Sequence, residues 1–254
     1  MRNIVSIENI SKDEILHDIS FELGLNEKLA IIGSNGVGKS TLLKLLVGIL
    51  QPSKGKIKRT SDVAMVFQSN LLDKNLSIRQ NLVTRLGKEK YENAKRFLGY
   101  LGIKESINNY GNLSGGQKRM VDLARALMIS PDLLILDELS AGMDLHARKM
   151  SWNFLQNYIR NTHMSIIYTT HNLDELSYAD KILFIKEGKV SFYGATNKFL
   201  QKLPSYKLIF GNEKRYFNSS KEAISYIFNK RLENESIEIC KVSYDDLFDY
   251  MEEK

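Results

Sequence analysis

The run Gly33-Ser34-Asn35-Gly36-Val37-Gly38-Lys39-Ser40-Thr41 decides the fold of this 254-residue chain. It fits G-x-x-x-x-G-K-[ST], a glycine-rich loop that turns backbone N–H groups toward the α- and β-phosphates of a nucleotide. Glycine reaches backbone angles that other residues adopt only with strain, and it lets the chain approach a ligand closely. Upstream, Lys28-Leu29-Ala30-Ile31-Ile32-Gly33 reads as a buried strand; downstream, Ser40-Thr41-Leu42-Leu43-Lys44-Leu45-Leu46 reads as a helix. Strand, loop and helix in that order are the context the motif needs, because the helix N-terminus adds a favourable dipole for an anion. Lys39 is then placed to reach the β- and γ-phosphates, and Ser40 to put a hydroxyl on Mg²⁺.

Working outward, Leu133-Leu134-Ile135-Leu136 is an apolar run without alternation, the pattern of a parallel strand covered on both faces. It ends in Asp137-Glu138, and in open α/β sheets the carboxyl ends of the strands are where ligands bind. Asp137 is the candidate to hold Mg²⁺, and Glu138 the candidate to polarise an attacking water. Taken alone, an acid pair there equally well caps a strand or opens a turn. Between the two motifs lies Leu113-Ser114-Gly115-Gly116-Gln117. Ser114 and Gln117 have capping-box spacing, and Met120, Leu123, Ala124, Leu127 and Met128 follow at helical spacing until Pro131 blocks continuation. Physically this is a capped helix with an apolar stripe, and its exposed, glycine-bearing N-terminus is a ready anion site.

In this order the three runs resemble the ATP-binding subunit of an ABC transporter, over roughly residues 1 to 200. The resemblance implies that Ser114, Gly115, Gly116 and Gln117 contact the γ-phosphate held by the phosphate loop of a second copy, so that two chains bury two ATP molecules head to tail. Gln68, in Met65-Val66-Phe67-Gln68, resembles the glutamine that touches Mg²⁺ and water and relays nucleotide state to the membrane partner. Asp144, closing Ser140-Ala141-Gly142-Met143-Asp144, resembles the acid of the loop through which the two monomers communicate. His171, in Thr169-Thr170-His171-Asn172, resembles the switch histidine at the γ-phosphate. By itself a lone histidine after a strand is an ordinary surface or capping residue. The implied cofactors are ATP and Mg²⁺. The implied partners are a transmembrane permease and a second nucleotide-binding subunit, at the cytoplasmic face of a membrane.

The chain departs from that family's pattern at two places. No aromatic stands in Ser11-Lys12-Asp13-Glu14-Ile15-Leu16-His17 to stack on adenine, leaving Ile15 or His17 as substitutes, and Leu139 replaces the usual proline after Glu138.

Composition fits a peripheral subunit. The 43% hydrophobic content is ordinary for a globular chain, and no stretch approaches the roughly 20 apolar residues that span a bilayer. Met1-Arg2-Asn3-Ile4-Val5 does not read as a secretory signal, and one cysteine, Cys240, gives no intrachain disulfide or metal cluster. The net charge of +6 carries no dense basic run with interleaved aromatics, so it predicts a lysine-rich solvated surface and no nucleic-acid partner.

The expected fold is α/β: a P-loop NTPase core with a mixed, mainly parallel sheet, an antiparallel β subdomain, an inserted helical subdomain over about residues 70–130, and a small C-terminal α+β appendage. Strands are expected at Ile4–Ile10, Ile19–Leu23, Leu29–Ile32, Val63–Phe67, Leu133–Leu136 and Ser165–Thr169, with a hairpin from Ile182–Ile185 to Val190–Tyr193. Residues 1–204 form the nucleotide-binding domain and 205–254 the appendage. In the appendage, Ser219 with Glu222 and Ser243 with Asp246 have capping-box spacing, ahead of one helix carrying Ala223, Ile224, Ile227 and Phe228 and another carrying Leu247, Phe248 and Met251. A short strand is expected at Ile237–Val242. That tail resembles the end of ATPases that drive drug, antibiotic and polysaccharide exporters, so export is the expected direction. An importer subunit or a soluble ATPase of a cluster-assembly scaffold are the alternatives. The single cassette and the lack of a heptad run exclude tandem translation factors and coiled-coil chromosome ATPases of this family.

Overall fold

The computed structural model describes residues 3–60, 62–69, 71–103, 109–230, 232 and 236–252, apart from the side chains of Phe248 and Glu252. At its centre lie the non-alternating apolar runs. β3 (Lys28–Ile32), β6 (Leu133–Asp137) and β7 (Ser165–Thr169) are buried at almost every residue because both of their faces are covered. With β5 (Val63–Val66), β8 (Lys181–Lys186) and β9 (Lys189–Ala195) they form a six-stranded sheet of order β5-β6-β7-β3-β8-β9. All neighbours are parallel except β8 and β9, whose antiparallel pairing follows from the turn at Glu187-Gly188.

Alternate residues of the central strands feed two different cores. Leu29 and Ile31 face α1 (Lys39–Val47) and an antiparallel sheet of order β2-β1-β4, made of β1 (Asn3–Lys12), β2 (Leu16–Gly24) and β4 (Lys54–Arg59). Ala30 and Ile32 face the opposite core, shared with α2 (Ile78–Tyr100), α3 (Gly115–Leu127) and α4 (Leu145–Thr162). α2 and α3 are the inserted helices. Ser77 and Gln80 close a reciprocal capping box on α2, at 3.1 and 2.9 Å, and Ser114 and Gln117 do the same on α3, at 3.2 and 3.0 Å. α2 is broken at Gly87, whose φ of 78° and ψ of 167° are not helical.

After the short helix α5 (Thr196–Leu200) the chain builds a second antiparallel sheet of order β11-β10-β12, from β10 (Tyr206–Phe210), β11 (Glu213–Phe217) and β12 (Ile237–Lys241). It carries α6 (Ser220–Lys230) and α7 (Tyr244–Glu252). The expected strand is present as Ile237–Lys241 and both expected helices form behind Ser219 and Ser243, whereas β10 and β11 are not among the expected strands. The hairpin β10–β11 lacks a clean alternation, since Lys207 and Ile209 share one face of β10. On α6 only Ala223 is buried, while Ile224 is 44% and Phe228 63% exposed. On α7, Leu247 is fully buried and Met251 packs on the main core; Phe248 belongs to the side chains outside the description. β4, like β10 and β11, is not among the expected strands. Its sequence KGKIKR shows a single apolar residue, Ile57, which pairs with Ile7 of β1.

Candidate active site

The phosphate loop runs from the end of β3 into α1. Gly38 caps the helix with φ of 105° and ψ of 9°, a left-handed conformation that favours glycine. A Cβ at Gly38 would stand 2.6 Å from Leu16 Cδ2 and 2.9 Å from Ile15 Cγ2, so β2 and the turn before it press directly on the loop. Lys39 is 6% exposed, and its ammonium donates to Gly33 O at 2.8 Å and Ser34 O at 3.0 Å. Burial pulls the Lys39 ammonium below its ordinary range, against the opposing pull of Glu138 and Asp137. The lysine head and the backbone N–H groups of the loop are thus gathered at one helix N-terminus.

Across the sheet, β6 delivers two acids. Asp137 is 4% exposed and accepts a hydrogen bond from Thr169 Oγ1 at 2.7 Å. Glu138 has a positive φ of 52°; its backbone N–H donates to the same Thr169 Oγ1 at 2.9 Å. Gln68 Nε2 donates to Glu138 Oε2 at 3.0 Å, and His171 Nε2 lies 2.7 Å from Glu138 Oε1. Gln68, Glu138 and His171, which lie far apart in sequence, are therefore in one hydrogen-bonded cluster beside Asp137. The donors available to a metal here, the Ser40 hydroxyl, the Asp137 carboxylate and the Gln68 amide, are hard oxygen ligands, the set Mg²⁺ takes together with phosphate oxygens and water. Among the described residues no group of three or more His, Cys, Asp or Glu is placed to hold a softer metal.

The residues at the start of α3 stand elsewhere. Ser114, Gly116, Gln117 and Asp144 line a surface pocket of about 270 Å³, while Glu138, Ser140 and His171 line another of about 400 Å³. Gly142 borders both. Asp144 also caps α4, its Oδ1 accepting from Ala147 N–H at 2.8 Å. Of the two candidate substitutes for an adenine-stacking aromatic, Ile15 is 41% exposed and touches the phosphate loop at Gly38, whereas His17 packs at Gly188. Leu139 is buried in the core.

Three residues of the site have no motif to announce them. Arg119, buried on α3, donates to Phe67 O and, at 2.6 Å, to Gln68 O. It joins α3 to the segment that carries Gln68; burial pulls its guanidinium down, opposed by Asp122, Asp137 and Glu138. Glu175, 2% exposed, accepts from Ser140 Oγ and from Thr170 Oγ1 at 2.5 Å, tying the loop after Glu138 to the loop before His171. Tyr244, the first residue of α7, is 6% exposed, with its ring edge-on to His171. Nothing short-range in the sequence points to Arg119, Glu175 or Tyr244.

A sequence profile of the family described as "ABC transporter" matches residues 16–141. The chain is 34% identical over 214 residues to "Fe(3+) ions import ATP-binding protein FbpC 2" of Haemophilus influenzae, covering 74% of this chain and 60% of that protein. It is 31% identical over 220 residues to "Sulfate/thiosulfate import ATP-binding protein CysA" of a Synechocystis species, covering 78% and 62%. The chain thus spans about three fifths of the length of these curated relatives. Among solved structures, cbiO1 of Clostridium perfringens, described as part of the ABC transporter complex cbiONQ, superposes with a TM-score of 0.70 at 27% identity. That match covers 91% of this chain and 96% of the other, and so extends past residue 204 into the C-terminal unit.

Proposed function

We propose that this chain, which carries an ABC transporter ATP-binding domain, hydrolyses Mg·ATP to power a separate transmembrane permease. The observation that carries this reading is the cluster of Gln68, Glu138 and His171 beside Asp137. In that cluster Glu138 takes the proton-accepting position toward a water, oriented from both sides by Gln68 and His171. Asp137, Ser40 and Gln68 would hold Mg²⁺, which when bound supplies charge neutralisation at the β- and γ-phosphates. Lys39 and the N–H groups of Gly33 to Thr41 cradle the phosphates, and Ile15 offers the adenine an aliphatic face. Catalysis of this kind is positioning and electrostatics, with no covalent intermediate on the protein.

The separation of the Ser114–Gln117 pocket from the phosphate loop supports a paired arrangement, in which each copy's Ser114, Gly115, Gly116, Gln117 and Asp144 face the nucleotide of the other. Residues 1–204 are the cassette in this reading, and 205–254 an appended unit. The chain works at the cytoplasmic face of the membrane; among the described residues no helix is long and apolar enough to cross a bilayer. On direction, the relatives quoted above are import proteins by name, and the C-terminal unit extends the likeness to cbiO1. The names of those relatives favour import, and the exporter expectation drawn from the tail finds no support.

Glu138→Gln tests the hydrolytic role. The variant is expected to bind ATP, to form ATP-dependent dimers and to turn over at least tenfold more slowly; full turnover would remove Glu138 from it. A mild-detergent pull-down from native cells tests the coupling. A near-stoichiometric polytopic companion supports it and shows direction by its type, while soluble companions alone would favour the scaffold ATPase.

A further inference from the structure

We propose that Tyr244 is a positioning residue of the ATPase site, through which the C-terminal unit acts on hydrolysis, an inference that rests on the hydrolytic role proposed above. Tyr244 belongs to neither catalytic loop in sequence, yet touches both. Its hydroxyl oxygen faces the Gly33 N–H at 3.4 Å, at the first residue of the phosphate loop. Its ring meets His171 edge-on, with centroids 5.2 Å apart and planes at 73°. His171 in turn sets Nε2 2.7 Å from Glu138 Oε1. A histidine ring turns about a broad, nearly two-fold χ2 torsion, so a rigid neighbour is what selects one orientation, and Tyr244 supplies that wall.

The wall is itself anchored from two directions. Ser243 N–H donates to Asp246 Oδ2 at 2.9 Å and Asp246 N–H to Ser243 Oγ at 3.3 Å, fixing the start of α7. Lys207 of β10 reaches Asp246 at 2.6 Å, which fastens the helix to the C-terminal sheet. On its other side Leu247 is fully buried in the cassette core, and Lys186 Nζ donates to Met251 O at 3.4 Å. Ser243 and Tyr244 also form one wall of the 400 Å³ pocket that Glu138 and His171 line. A shift of the C-terminal sheet is therefore transmitted through α7 to the ring against His171, and misplacing a catalytic group by about 1 Å can cost on the order of 100-fold in rate.

The test compares Tyr244→Phe and Tyr244→Leu with the wild type in the full chain, by steady-state Mg·ATP hydrolysis, calorimetric Mg·ATP binding and the NMR ring-proton resonances of His171. Phenylalanine keeps the wall and removes the hydroxyl at Gly33. Its kcat is expected within about twofold of wild type, with KM raised two- to fivefold, as suits one weak hydrogen bond. Leucine removes the wall, so kcat is expected to fall at least tenfold and the His171 resonances to move. Recovery of kcat from leucine to phenylalanine is what a merely structural residue would not give. A leucine variant with wild-type kcat and KM and only a lower Tm overturns the proposal, and so does a phenylalanine variant as slow as leucine. A wild-type chain that neither binds nor hydrolyses Mg·ATP overturns the proposed function itself, an outcome distinct from losses confined to the variants.

Discussion

Removing the Glu175 carboxylate is expected to damage stability and turnover together. Glu175 is 2% exposed; it accepts from Ser140 Oγ and from Thr170 Oγ1 at 2.5 Å, with Arg148 Nε 3.8 Å away. Glu175→Ala strips both hydroxyls of their acceptor and leaves Arg148 without its carboxylate. Breaking a buried ion pair by deleting one partner costs roughly 3–5 kcal/mol. The Arg148 side chain keeps 28% of its surface in water, so solvent takes up part of the loss and the lower end applies, about 3 kcal/mol. The backbone carbonyl of Glu175, which accepts from Tyr168 Oη at 2.6 Å, survives the substitution. For a chain of this size each kcal/mol moves Tm by about 2–4 °C, so a drop on the order of 6–12 °C is expected by calorimetry. Because Ser140 and Thr170 flank Glu138 and His171, ATPase activity well below the new Tm should also fall at least tenfold. Glu175→Gln, which keeps shape and one acceptor, should lose about 1–2 kcal/mol. An alanine variant melting within 2 °C of wild type and hydrolysing ATP normally would refute the role given to this residue.

Gly38→Ala puts a Cβ 2.6 Å from Leu16 Cδ2 at a φ of +105°; with roughly 1–3 kcal/mol of backbone strain, nucleotide affinity measured by calorimetry should drop at least fivefold. Ile15→Tyr restores a ring beside the phosphate loop, and since base stacking is worth roughly 1–3 kcal/mol in single-strand systems, ATP should bind at least fivefold more tightly; no change would place the adenine elsewhere. The Lys207–Asp246 pair gives a pH signature. Burial acts to raise the Asp246 pKa, but hydrogen bonds from Lys207 and Ser243 outweigh it and hold the carboxyl below 3.8, while the Lys207 value is raised above 10.5. The pair's stabilisation is then present between these ordinary values; it is lost as pH falls through the lowered Asp246 value or rises through the raised Lys207 value. The Tm gap between wild type and Lys207→Met should be constant near neutrality and shrink below pH 3.8.

What could be read from the chain alone depended on where its information lies. The phosphate loop, the β6 acids and the three capping boxes are local patterns, in which residue type and spacing dictate the geometry. β4 and the β10–β11 hairpin were illegible for a physical reason. Lys54–Arg59 is an edge strand with one apolar side chain, held by backbone pairing to β1 rather than by a buried face. The residues that tie the loops of the site together were equally hidden. Arg119 meets the carbonyls of Phe67 and Gln68 across about fifty residues, Glu175 bridges two loops, and Tyr244 reaches Gly33 across 211 residues. The contacts of Arg119, and that of Tyr244 to Gly33, are to backbone atoms and leave no demand on the partner's residue type, while Glu175 bonds to hydroxyls on two separate loops, which no short spacing records. On α6 the apolar spacing predicts the helix that forms, although Ile224 and Phe228 face outward.

Asp137 and Glu138 show how neighbouring carboxylates acquire different duties without a difference in chemistry. Asp137 still belongs to β6 and points as the strand's alternation dictates, to the face of Leu133 and Ile135, where Thr169 Oγ1 pins it at 2.7 Å. At Glu138 the backbone turns to a φ of 52°, which sends the next side chain out of the strand's register toward Gln68 and His171. Such a conformation costs a non-glycine residue about 1 kcal/mol or more. Thr169 offsets it, accepting the Glu138 N–H at 2.9 Å with the same oxygen that donates to Asp137. One threonine on β7 therefore fixes both acids at once, the first as a buried carboxyl group suited to a metal and the second as a partly exposed one suited to water. Thr169→Val, equal in shape and lacking the oxygen, should uncouple them: Glu138 loses the bond that holds its turn, and Asp137 loses its only hydrogen-bond donor among the described residues.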